Sequence, residues 1–163
     1  MDLFGPVTYI SIGGNKYGLV IIDDYNHFTW VFFVFDKSQV QEKVKIFIRR
    51  AQRKFGFPIK KVNSDNGTEF KTTYVEEFLD EEGIKHEFST PYTPQQNGVV
   101  ERKNRTLIDM ARIMLDEYKT PDTFWCDAIN TACHAINRLY LHNRLKKTSY
   151  ELLTGSNPKV SLF

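Results

Sequence analysis

The apolar positions in the first third of the chain fall in short blocks separated by turn residues. Residues 1–7 form one such block, and Gly13, Gly14, Asn15 and Lys16 supply the turn chemistry after it. The blocks Tyr17–Ile22 and 29–35 are β-branched and aromatic, which predicts two paired central strands joined through 23–27. The period then lengthens. Val40, Val44, Phe47, Ile48, Ala51 and Phe55 recur on one helical face, with a capping box at Ser38 and Gln41 ahead of them and Gly56 as the stop. Residues 59–64 predict a fourth strand. Thr73 and Glu76 form a second capping box, opening a helix that packs Val75, Phe78 and Leu79 and ends near Gly83; 84–88 predict a short strand after it. Pro91 and Pro94 make 89–96 a loop. From Asn97 a long helix runs to the neighbourhood of Tyr118, with Val100, Leu107, Ile108, Ala111, Met114 and Leu115 facing inward. Thr120 caps a further helix with Pro121 at its first position, and Phe124, Trp125, Ala128, Ile129, Ala132, Ala135, Ile136 and Leu139 mark its apolar face. Thr148 and Glu151 open a last short helix that Gly155 stops.

Three strands, a helix, a strand, a helix, a strand and then long helices describe one α/β domain without repeats, low-complexity segments or an internal linker. That order resembles the ribonuclease-H-like fold, which implies a central mixed five-stranded sheet flanked by helices. The likeness is one of architecture and leaves function open. At 163 residues and 41% hydrophobic, the chain has the size of one globular domain, and 13 Phe, 8 Tyr and 2 Trp can fill its core. No apolar run approaches the roughly 20 residues of a membrane span, and the opening MDLFGPVTYI lacks the basic and apolar parts of a signal peptide. A soluble, intracellular domain with no membrane partner is the expectation. Cys126 and Cys133 stand too far apart along one helix to bridge and lack zinc spacing, so they are expected as core-facing thiols. His27, His86, His134 and His142 show no metal-ligand spacing either, and packing or surface roles are expected of them.

The formal net charge of +2 is too small to announce a nucleic-acid partner, but its distribution is uneven. Residues 37–61 carry nine Lys/Arg against one acid, 65–87 carry eight acids against two lysines, and 101–147 carry nine basic residues against six acids. Such segregation can build a basic face on a nearly neutral protein; solvated helix faces explain it equally well.

Two islands carry candidate chemistry. In the first, Asn63 to Phe70, an acid (Asp65) appears just as a strand ends and turns through Asn66 and Gly67. A rigid strand aims such a group while the turn leaves room for substrate. Asp65 could equally serve only to cap its turn. The second island, Thr90 to Arg105, runs from a loop into a helix and holds Glu101, which by itself could merely complement the helix dipole. Thirty-five residues lie between Asp65 and Glu101.

These islands resemble the retroviral and retrotransposon integrase core, whose signature is two aspartates and a glutamate with the last pair thirty-five residues apart. Within that family the chain is similar to the copia-type branch: DLFGP, IDDY, SDNGTEF, PYTPQQNGVVERKNRT and SYELLTG stand in order along essentially its whole length. The resemblance implies that residues 1–155 are an integrase catalytic core and that 156–163 begin a C-terminal extension. It implies that Asp2, Asp65 and Glu101 are the catalytic acids and the ligands of a pair of Mg²⁺ or Mn²⁺ ions. Asp23 and Asp24 compete with Asp2 for the first place, although they match the IDDY turn. The resemblance further implies that Tyr92, Gln95, Asn97, Asn104 and Arg105 touch DNA ends, whereas Lys103 points elsewhere. Double-stranded DNA of the element and of the target would be the partner, with a homodimer or higher oligomer as the working form. Action would be nuclear, after assembly in cytoplasmic particles. The family's zinc-binding His/Cys module does not occur in this sequence, which fits a segment of a longer polyprotein.

The physical chemistry agrees with that assignment. Phosphodiester attack needs one oxygen activated and another stabilised, which two hard cations can do together. Mg²⁺ prefers oxygen ligands, and converging carboxylates repel one another unless a cation neutralises them. A ribonuclease H acting on RNA–DNA hybrids and a non-catalytic DNA-binding or assembly module remain the competing readings of the same fold.

Overall fold

A computed structural model describes residues 1–89, 94–142 and 145–159. Five strands form, as the apolar blocks predict. β1 (Asp2–Phe4), β2 (Tyr17–Ile22) and β3 (Thr29–Val34) make an antiparallel group in that order. β4 (Lys61–Ser64) and β5 (Lys85–Phe88) pair in parallel. The sheet is therefore mixed, hydrogen-bonded as a group of three and a group of two. The Met1 nitrogen crosses between them, donating to the Asn63 carbonyl at 2.6 Å.

β1 is shorter than residues 1–7 because Gly5 leaves the extended region at φ 117° and Pro6 follows it. β2 is apolar on both faces for a reason. Leu19 and Ile21 enter the core beneath the first helices, while Val20 and Ile22 enter the core beneath the long helices on the other side. On β3, Phe32 and Val34 go to the first core, Val31 and Phe33 to the second.

α1 (Gln39–Phe55) buries Val40, Val44 and Ile48 and ends at Gly56, whose φ of 70° suits a residue without a side chain. Its expected capping box does not form: the Ser38 side chain makes no cap bond, and the Asp36 carboxylate accepts from the Ser38 amide at 2.9 Å instead. α2 (Thr73–Glu81) is capped one residue earlier than its sequence pattern indicates, by Thr72, whose hydroxyl accepts from the Val75 amide. α3 (Pro94–Glu117) begins inside the stretch expected to be loop, because Pro94 has the fixed φ that suits a first helical turn. After Pro121 a short 3₁₀ turn, Asp122–Phe124, precedes α4 (Trp125–Leu139), which buries Trp125, Ala128, Ile129, Ala132 and Ile136 as predicted, whereas Phe124 and Leu139, at its two ends, are exposed. α5 (Ser149–Thr154) carries the reciprocal Thr148–Glu151 capping box and stops at Gly155.

The layers are those of the ribonuclease-H-like fold. α1 and α2 cover one face of the strands, and α3 and α4 cover the other. Trp125 seals the second core edge-on between Phe4 (6.2 Å) and Phe33 (5.2 Å), with its indole nitrogen on the Tyr9 carbonyl. Asn137 of α4 brackets the start of β3, accepting from the Thr29 amide at 2.9 Å and donating to its carbonyl at 2.8 Å. Both cysteines are free and buried, and burial pushes the Cys133 thiol up to about 11.

Candidate active site

The geometry starts from two strand positions. Asp2 opens β1, and Asp65 follows the last residue of β4. Both carboxylates are half-buried and both are pushed above the ordinary carboxylate range, first by burial. At Asp2, the more deeply buried of the two, repulsion from Asp65 adds to the effect. The effect of Asp65 on Asp2 across the seam between the strand groups marks the core of the site.

Asn104 of α3 completes this pair. It is 6% exposed, and its Nδ2 donates to the Asp2 Oδ2 at 2.5 Å. Expected at a DNA contact, Asn104 instead turns its amide inward onto the sheet. A short polar side chain on the inner stripe of a helix reaches the strand beneath it. Arg105, the next residue, is exposed.

Glu101 stands one turn before Asn104 on α3 and is exposed. Among the described residues no three His, Cys, Asp or Glu side chains gather closely enough to hold a metal ion together. Of the expected trio, Asp65 lies near enough to Asp2 to raise its carboxyl, while Glu101 is exposed one turn before Asn104 on α3. Of the expected DNA contacts, Tyr92 lies outside the described residues. Gln95 and Asn97 belong to the backbone of the first turns of α3. Lys103 is half-buried, and burial lowers its pKa.

Of the competing aspartates, Asp23 has another duty. The Asp23 carboxylate accepts from the Tyr25 and Asn26 amides at 3.0 and 2.9 Å, building the β2–β3 turn, and Asp24 is exposed. Asp2, not these, shares the site with Asp65.

The structure adds residues that sequence reasoning passed over. Glu69 is 7% exposed, and its carboxylate pairs with the Lys37 ammonium at 3.6 Å. The Ser64 hydroxyl, directly before Asp65, lies 2.9 Å from His86 Nε2. The acidic composition of 65–87 gave no sign that one of its acids is buried. Asn63, two residues before Asp65 and so on the same side of β4, has a buried side-chain oxygen with no hydrogen-bond donor, as does Asn104. The donors that Asp2, Asp65, Asn63 and Asn104 offer are thus a set of oxygens. That set fits a hard divalent ion such as Mg²⁺ or Mn²⁺ and suits a thiophilic metal poorly.

With this geometry in hand, the chain belongs to the integrase core domain family, whose model matches residues 1–94. Within it, the relatives are Pol polyproteins of copia-type transposons. The chain is 42% identical over 84% of its length to the retrovirus-related Pol polyprotein from transposon TNT 1-94 of Nicotiana tabacum. It is 32% identical over 91% of its length to that from transposon RE2 of Arabidopsis thaliana. It spans 10% of the length of each of these relatives. Among solved structures, the fold matches a simian T-cell lymphotropic virus intasome in complex with PP2A regulatory subunit B56 gamma. There the TM-score is 0.70 at 19% identity, over 98% of this chain and 55% of that one. It also matches the HTLV-2 integrase catalytic core domain in complex with magnesium, in a trimeric form. That match has a TM-score of 0.65 at 24% identity, over 93% and 95% of the two chains.

Proposed function

We propose that this domain is the catalytic core of a retrotransposon integrase, which with divalent cations trims the 3′ ends of element DNA and transfers them into target DNA. The observation that supports the reading is the proximity of Asp65 to Asp2, whose carboxyl it raises, together with the Asn104 hydrogen bond to Asp2 from α3. Asp2 and Asp65 hold the cation pair, Mg²⁺ or Mn²⁺. Glu101 is assigned as the third ligand from its spacing and its place one turn before Asn104. When bound, such ions activate the attacking oxygen and stabilise the leaving one.

The chain's own residues do the rest. Asn104 fixes the rotamer of Asp2, so that its second oxygen stays aimed at the site. Asp65 is oriented by the Gly67 amide, which donates to its Oδ1 at 3.3 Å. Arg105, exposed on α3, offers a fixed cation to a DNA phosphate, and the N-terminal end of the same helix favours phosphate as well. Tyr92, Gln95 and Asn97 are assigned to DNA contact from their place in the motif. The intasome and the magnesium-bound trimeric core among the fold relatives support DNA, a divalent ion and self-association as the partners. Nuclear action and a core ending near the Gly155 cap belong to the same reading.

Incubation with Mn²⁺ and a branched strand-transfer product tests it. The wild-type chain resolves the branch and Asp65→Asn does not. Cleavage confined to RNA–DNA hybrids would replace the reading with a ribonuclease H. A folded protein inert toward both substrates would leave an assembly module.

A further inference from the structure

We infer that Glu69, anchored by Lys37, is a positioning residue for Asp65 and acts through the turn at Gly67. The inference rests on the proposed function only in taking Asp65 as a cation ligand.

Three observations carry it. First, a Cβ added to Gly67 would lie 2.8 Å from Glu69 Cδ and 2.9 Å from each of its carboxylate oxygens. The Glu69 carboxylate is packed directly against the Gly67 α-carbon. The backbone angle of Gly67 is not left-handed, so what sets this position apart is its close approach to the Glu69 carboxylate, which a Cβ would have to displace.

Second, Gly67 is the hub of the turn that aims Asp65. Its amide donates to Asp65 Oδ1. Its carbonyl accepts from the amides of Phe70 (3.1 Å) and Lys71 (3.3 Å), and Phe70 is fully buried. One side of Gly67 thus carries the catalytic carboxylate and the other rests on Glu69.

Third, the arrangement is costly if packing were its only purpose. The Glu69 side chain is 5% exposed, and the cation paired with it among the described residues, at 3.6 Å, is itself half in water. A buried anion needs close pairing to be tolerated. This one also lies near enough to Asp65 to raise that carboxyl further. A neutral side chain would fill the space at lower cost. Lys37 sits on the β3–α1 connection with its ammonium 5.9 Å from the Tyr17 ring, so the anchor ties the turn to β2.

The test is Mn²⁺ titration by calorimetry, with amide hydrogen exchange on the metal-free protein as a second readout. Glu69→Gln keeps the shape and loses the ion pair. Its Mn²⁺ affinity should fall about ten- to a hundredfold, as when groups supporting a metal ligand are altered. Exchange at the Gly67 and Phe70 amides should quicken while circular dichroism stays native. Lys37→Met separates positioning from simple charge. Loss of a nearby cation would by charge alone tighten Mn²⁺ binding, whereas a released clamp weakens it. Wild-type affinity in Glu69→Gln, or tighter binding in Lys37→Met, overturns the inference. Asp65→Asn is the reference variant. If it binds Mn²⁺ as the wild type does, the proposed function and this inference fall together. If it loses binding while Glu69→Gln keeps it, the positioning role falls alone.

Discussion

Replacing Asn104 by leucine removes the amide that holds Asp2 while keeping a buried side chain of similar bulk under α3. A hydrogen bond to a charged group contributes about 1.5–3 kcal/mol. At about 1.4 kcal/mol per factor of ten, the hold on the ionised form of Asp2 should fall by roughly ten- to a hundredfold. The direction with pH follows from the causes acting on that carboxyl. Burial and Asp65 already raise it, and the Asn104 bond opposes them, so the variant raises it further. Cations bind the deprotonated acid, and protons compete with them. The loss of Mn²⁺ affinity relative to wild type should therefore be largest at mildly acidic pH and shrink at mildly alkaline pH. A remainder should persist there, because Asp2 also loses its fixed rotamer. Calorimetric titrations at the two pH values, with circular dichroism to confirm folding, measure both parts. Wild-type affinity at both would refute the reasoning, and an equal deficit at both would show that Asn104 only positions Asp2 and does not tune its proton.

Asp65→Asn should stabilise the metal-free protein at neutral pH. A carboxyl raised by folding lends stability that is complete below its unfolded pKa and lost as pH rises through the folded one; the amide has nothing to lose. Thermal melts should show the gain at neutral pH and none at strongly acidic pH; a variant less stable than wild type at neutral pH would contradict the raised carboxyl. Asn137→Ala should cost about 2–4 kcal/mol, from two hydrogen bonds and a buried Thr29 amide left without a partner. Urea unfolding reads this directly, and a change within half a kcal/mol would mean that β3 finds other partners.

The strands and helices with long, regular apolar patterns were legible from residues alone. β2 and β3 needed only their unbroken β-branched and aromatic blocks, and α1 and α4 only their periodic faces. Boundaries set by competing local bonds were not. Asp36 takes the Ser38 amide that Gln41 would have answered in a capping box, and Thr72 caps through the Val75 amide, one residue ahead of the expected Thr73–Glu76 box. Asp65 stood out because a strand end, an Asn-Gly turn and a fixed spacing coincide on it. Glu69 did not, and Asn104 entered only as an expected DNA contact, since nothing in their local sequence distinguishes a polar side chain folded inward from one in water. Tertiary packing decides that, here through Gly67 for one and the β1–α3 approach for the other.

The division of the strands into a group of three and a group of two has a mechanical corollary. Asp2 rides on one group and Asp65 follows directly from the other, with the Met1–Asn63 bond spanning the join. The distance between the two acids is thus a gauge of how far the halves have slid or hinged. On the proposed function, an ion shared by both carboxylates would act as a rivet, coupling the stiffness of the whole scaffold to the occupancy of a few cubic ångströms.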